Sequence, residues 1–130
     1  MIRIVRLGSP RAANEGVRIG TVRRPPRGVP KIELGTRNFY DVWLPTLAPS
    51  ELLLKEALAM DSNDTRAWRQ FERRYRKEMK ARDVVRLLDT FAVLSKHTNL
   101  SVGCYCAEEQ RCHRAILRQL LIEHGAEVAE

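Results

Sequence analysis

A chain of 130 residues, 44% hydrophobic and 30% charged, has the size and balance of one globular domain with its own core, which excludes a disordered or collagen-like chain. No apolar run approaches the roughly 20 residues that cross a bilayer, and arginines interrupt the opening MIRIVRLGSPRAA, so the expectation is a soluble, unexported protein with no membrane partner. The formal charge is +7, and the whole excess lies in residues 1–40, where nine basic side chains stand against two acidic ones, while residues 41–130 carry fourteen of each.

Along the chain, Ile2–Leu7 alternates apolar residues with arginine, the period of a half-buried strand, and Gly8-Ser9-Pro10 stops it. Val17–Val22 repeats the alternation, with Val17 and Ile19 on one face. It leads into RRPPRGVPK, where three prolines remove amide donors and fix φ, so this stretch is an arginine-loaded loop. Tyr40–Leu44 suits a short extended segment. A helix then enters at Ser50, a plausible N-cap, and breaks at Asp61–Asp64.

From Asp64, Trp68, Phe71, Tyr75 and Met79 recur at spacings of three and four, which predicts an amphipathic helix with an aromatic stripe in the core and a basic outer face. Val84–Leu94 predicts a more fully buried helix that His97-Thr98-Asn99 ends. Leu100–Cys104 reads as a short buried strand, and Cys112–His124 as a last helix with Gly125 at its C-terminal end. Strands at both ends with helices between them imply a single layered α/β domain over 1–130. Its short, mostly parallel or mixed sheet pairs the late strand with the early ones and carries helices packed on it.

The segment Gly103–Arg114, GCYCAEEQRCHR, concentrates the chemistry. In open α/β sheets ligands bind beyond the carboxyl ends of strands, where a following helix offers its positive end. Three cysteines within nine positions, Cys104, Cys106 and Cys112, are an odd number and no disulfide framework, so reduced thiols in the cytosol are expected. A thiol at a helix start beside arginine is a readier thiolate, which makes Cys112 the first nucleophile candidate, His113 its base or oxyanion partner, and Cys104 the second thiol. Three thiols and an imidazole also suffice chemically for zinc, but C-x-C-x5-C-H is not a usual zinc spacing, so no metal ligand is assigned. The same residues are also compatible with a buried strand cysteine and two incidental ones.

Four stretches of the sequence are similar to a known family. EGVRIGTVRRPPRG, DVWLPTLAPSEL, WRQFERRYRKEM and LSVGCYCAEEQRCHRAIL, in this order and over most of the chain, resemble the YeaO-like proteins grouped as domain of unknown function 488. The matching positions are Gly16, Arg18, Arg23, Arg27, Gly28, Trp43, Pro49, Ser50, Trp68, Phe71, Tyr75 and His113. Arg24 and Pro25 depart from an apolar-Trp pair in the family pattern, and Val22 from an acidic residue, which implies an altered pocket here. The resemblance implies a soluble α/β domain and no established activity or cofactor.

The leading expectation is that Arg18, Arg23 and Arg27 converge with Arg114 and the Cys112 helix start on a small anionic ligand, since guanidinium offers planar bidentate contacts to phosphate or carboxylate. A thiol-dependent reaction would follow from it. The alternatives are a nucleic-acid binder, using the N-terminal block and the face Arg66, Arg69, Arg73, Arg74 and Lys77, and a Cys/His metal site.

Overall fold

The computed structural model describes residues 1–130. Strand β1, Ile2–Arg6, lies at one edge of a four-stranded sheet, and β4, Leu100–Cys104, beside it. Next come β2, Val17–Gly20, and the two-residue β3, Val42–Trp43, at the far edge. All pairings are parallel, with Ile2 opposite Leu100, Arg18 opposite Ser101 and Ile19 opposite Val42. The late strand therefore enters between the two early ones. The edge at β1 is covered by the carboxyl-terminal segment, where Ile2 N–H donates to Glu127 O and Ala129 N–H donates to Ile2 O, both at 2.8 Å.

Helix α1, Glu51–Ala59, begins at Ser50, whose hydroxyl accepts the Leu53 N–H, and α2, Thr65–Glu78, at Asp64, whose carboxylate accepts the Ala67 N–H. Helices α3, Arg82–Ser95, and α4, His113–Glu123, complete the set, and none is long and apolar enough to cross a membrane. Period-two alternation puts Ile2, Ile19, Leu100 and Val102 on one face of the sheet, where they join Phe71, Tyr75 and Met79 of α2, Leu88 of α3 and Leu117 of α4 in one core. Phe71, Tyr75 and Met79 are buried as the stripe predicts. Trp68 is half-buried at the core's edge, stacked on Phe71 at 5.1 Å. Helix α3 is amphipathic instead of fully buried: Val84, Leu88, Phe91 and Ala92 face inward, but Val93 and Leu94 are exposed, because the helix has one neighbouring layer only.

The opposite face is covered by loops. Ser101 and Gly103 of β4 point there, as do Arg18 and Gly20 of β2. A Cβ on Gly20 would stand 2.3 Å from the Tyr40 ring, so glycine there lets the loop layer close on the sheet, and one on Gly103 would stand 2.6 Å from Val5 O of the neighbouring strand, so glycine there lets β4 pack against β1.

Arg18 is the main correction to the sequence reading. The alternation gives it a face of its own, but β2 is an interior strand covered on both sides, and Arg18 is wholly buried. Its Nε donates to Glu15 at 2.7 Å and its terminal nitrogens to Glu15, Ser9 O and Asn38 O at 2.7–2.9 Å. It anchors the Leu7–Gly16 connection and is not available to a ligand.

Candidate functional site

The carboxyl ends of β4 and β2 open into a cleft of about 600 Å³, within the range of small-molecule sites. Its floor is Cys104, Cys106, Cys112 and His113. One wall is the Val22–Arg27 segment, and the other is formed by Leu54, Ala57 and Leu58 of α1 with Trp68 and Phe71 of α2. Tyr105 and Arg111 close the rim.

The floor is fixed by backbone bonds. Thr21 sends both its N–H and its hydroxyl to Gly103 O, at 3.0 and 2.9 Å, and its own carbonyl accepts His113 Nε2–H at 2.7 Å. That bond sets the tautomer: Nε2 carries the proton and Nδ1 keeps a lone pair, 3.8 Å from Cys112 Sγ. Burial pulls the His113 pKa down to about 4, partly offset by the Thr21 bond, so the ring is neutral at pH 7. Tyr75 lies edge-on to it at 5.6 Å and donates its hydroxyl to Leu47 O at 2.7 Å.

The chain brings the three sulfurs together despite their spacing. Cys104 ends β4, the loop through Tyr105–Arg111 doubles back, and Cys112 forms the N-cap of α4. All three Sγ atoms lie within 4.8 Å of one another, with Cys104 and Cys106 at 3.8 Å. The spacing that argues against a shared centre in the sequence does not keep the sulfurs apart. Nor is Cys112 the readiest thiolate. Cys106, the exposed member, is held far below the ordinary thiol range by hydrogen bonds from the Cys104 and Cys112 thiols, with Arg114 adding its charge. One negative charge on the cluster resists a second. The bond to Cys106 pushes the Cys104 thiol up to about 11, and bonds to both neighbours with burial push Cys112 higher still.

The arginines divide by role. Arg23 lines the cleft, but it donates to Pro49 O, Pro45 O and Ala48 O at 2.8–3.3 Å and so ties the β3–α1 connection to the wall. Arg27 lines the cleft, exposed, with no bonded partner or carboxylate of its own. Arg114 is buried beneath the floor, where one terminal nitrogen donates to Cys106 O at 2.7 Å and Nε has no partner.

Arg111, Tyr105 and the wall from α1 are contributors that the reading of the sequence did not single out. Arg111 stacks its guanidinium over Trp68 at 5.7 Å and has no carboxylate partner. Tyr105 donates its hydroxyl to Arg24 O at 3.1 Å, and Arg24 is paired with Glu51. A basic residue just before the CHR run was the one available hint for Arg111; the wall from α1 had none. No aspartate or glutamate lines the cleft. Of the nine N-terminal basic residues, Arg11, Arg18 and Arg24 are paired with carboxylates, which offsets their charge, while Arg6 and Arg23 donate to backbone carbonyls.

A family model described as the Active DUF488-N3 subclade matches residues 2–125. No curated protein and no solved structure gives a match.

Proposed function

The chain belongs to the DUF488 family, and from that premise we propose that its cleft binds a small organic anion with an apolar body and presents it to the cysteine-bearing floor. One observation carries this reading: a cleft walled by Leu54, Leu58, Trp68 and Phe71 holds four arginines and no acidic side chain, and two of those arginines, Arg27 and Arg111, have no hydrogen-bonded partner while only Arg24 is paired with a carboxylate. Guanidinium groups at the rim of an apolar cleft meet an anion at reduced dielectric, where charge-assisted bonds are strongest. The amino-terminal end of α4 at Cys112 and His113 adds its partial positive charge.

A small anion is favoured over nucleic acid because the free cations lie in a concave, apolar-lined space. Arg66, Arg69 and Arg73 of α2 form only a shallow groove without apolar side chains. The thiols at the floor make a thiol-dependent reaction the chemistry that would follow binding, and three clustered thiols suit the reducing cytoplasm. Placement among the YeaO-like members rests on the motifs around Arg23–Gly28, Trp43 and Cys112–Arg114.

The test is titration with 1-naphthyl phosphate, an aromatic anion, followed by Trp68 fluorescence. Binding should weaken roughly tenfold for each of Arg27→Gln and Arg111→Gln, and uncharged 1-naphthol should bind far less well. Naphthyl phosphate that fails to bind, or that binds equally well to both variants, overturns the reading.

A further inference from the structure

The floor of the cleft has a feature that anion binding leaves unused: three cysteine sulfurs gathered around one point above a buried, unpaired cation. We propose that Cys104, Cys106 and Cys112 are the protein ligands of a single soft divalent ion of the zinc class, with its remaining coordination position open to the cleft.

Geometry supports this assignment. An ion with metal–sulfur bonds of about 2.3 Å in tetrahedral array spaces its sulfurs about 3.8 Å apart. Cys104 and Cys106 stand at 3.8 Å, and the third sulfur lies within 4.8 Å of both. A single thiol–thiol hydrogen bond would explain a pair, but not a trio drawn from a strand end, a loop and a helix cap.

Charge is compatible with this assignment. Arg114 is 3% exposed, has no carboxylate partner, and leaves Nε without any acceptor. A cation buried in this way requires a nearby anion. Three thiolates around a divalent ion carry a net charge of −1, the same as the lone Cys106 thiolate of the metal-free cluster, so loading the ion keeps Arg114 balanced. Arg114 already reaches the loop that carries the central ligand, through its 2.7 Å bond to Cys106 O.

His113 lies outside the ligand set: its Nε2–H is held by Thr21 O, and its Nδ1, 3.8 Å from Cys112 Sγ, borders one of the three sulfurs without joining them. The choice of metal follows from the donors: three soft thiolates select zinc-class ions over magnesium or calcium, which take oxygen.

The experiment uses the full chain, purified without chelator. Elemental analysis should find about one zinc per chain, and Co2+ titration of stripped protein should give a thiolate-to-cobalt charge-transfer band that saturates at one equivalent. Cys106→Ser alters the exposed ligand, and the variant should stay folded by circular dichroism while losing the stoichiometric ion and most of the band. Zinc should also protect all three wild-type thiols from alkylation, a readout that does not depend on any variant folding. Wild type without metal and without a cobalt band overturns the proposal. So does a band of unchanged intensity in Cys106→Ser, which places the ion elsewhere, or alkylation that zinc does not slow. The outcome is separable from the anion reading: stripped protein that still binds 1-naphthyl phosphate keeps that reading whatever the metal result.

Discussion

Replacing Glu15 by glutamine tests the internal anchor of the Leu7–Gly16 connection. Glu15 is 3% exposed and accepts four hydrogen bonds, from Arg18 Nε and a terminal nitrogen at 2.7 and 2.9 Å, Ser101 Oγ at 2.8 Å and Ala12 N–H at 3.1 Å. Burial pushes its pKa up, but the donors together outweigh burial and hold it at about 2, against an ordinary 4.5. A carboxyl displaced that far contributes about 3 kcal/mol of stability at neutral pH. The native state binds this proton less tightly than the unfolded chain. Its contribution is therefore complete above pH 4.5 and is lost as pH falls through about 2. Glu15→Gln turns one acceptor into a donor facing a guanidinium and leaves Arg18 buried without its counter-ion, at a cost of about 3–5 kcal/mol. That is a large part of the roughly 5–15 kcal/mol that stabilises a domain. Urea unfolding, followed by the fluorescence of Trp43 and Trp68 at pH 7 and at steps below pH 5, measures both effects. Wild type should lose stability more steeply with acid than the variant. A variant within about 1 kcal/mol of wild type at pH 7, or one with the same acid dependence, refutes the reasoning.

Tyr75→Phe removes the 2.7 Å bond to Leu47 O and leaves a buried carbonyl unpaired; a loss of about 1–2 kcal/mol is expected in thermal unfolding, and an unchanged Tm counts against it. Gly103→Ala drives a Cβ to 2.6 Å from Val5 O in the centre of the sheet, so it should cost about 1–3 kcal/mol by chemical denaturation. Gly16→Ala, at φ +80° with Asn99 O 1.9 Å from the new Cβ, should be worse; equal stability of the two would contradict this ordering. In metal-stripped protein, brief iodoacetamide treatment followed by peptide mass spectrometry should label exposed Cys106 before buried Cys104 and Cys112, and preferential labelling of Cys112 would reverse that assignment.

What could be read from the sequence was local. Ser50 and Asp64 cap their helices as residue type suggests, Phe71 and Tyr75 enter the core at helical spacing, and LSVGC is a strand buried along its whole length. The pairing of β4 with the early strands followed from the fold class, but its position between β1 and β2 did not, because strand order depends on how the connections cross the sheet. The site was legible as a segment and not as a constellation. Cys112 through Arg114 sit where a strand-to-helix junction should place them. Arg18 misleads, because the sequence does not show that an interior strand is covered on both faces, or that Glu15 and Ser101 meet it there. The wall from α1 and the Arg111–Trp68 stack depend on how helices pack over the cleft, which spacing within one segment does not record.

The two glycines behind the cleft give the site a reference surface on the far side of the sheet. Tyr40 rests against Gly20, and the next residue, Thr21, grips Gly103 O and holds His113 by its carbonyl. Loop side chains that never enter the cleft thus set the height of its floor. A change in the size of residue 40 would pass through Gly20 and Thr21 to His113, so the loop layer tunes the centre from behind, as a shim sets the position of a part it does not touch.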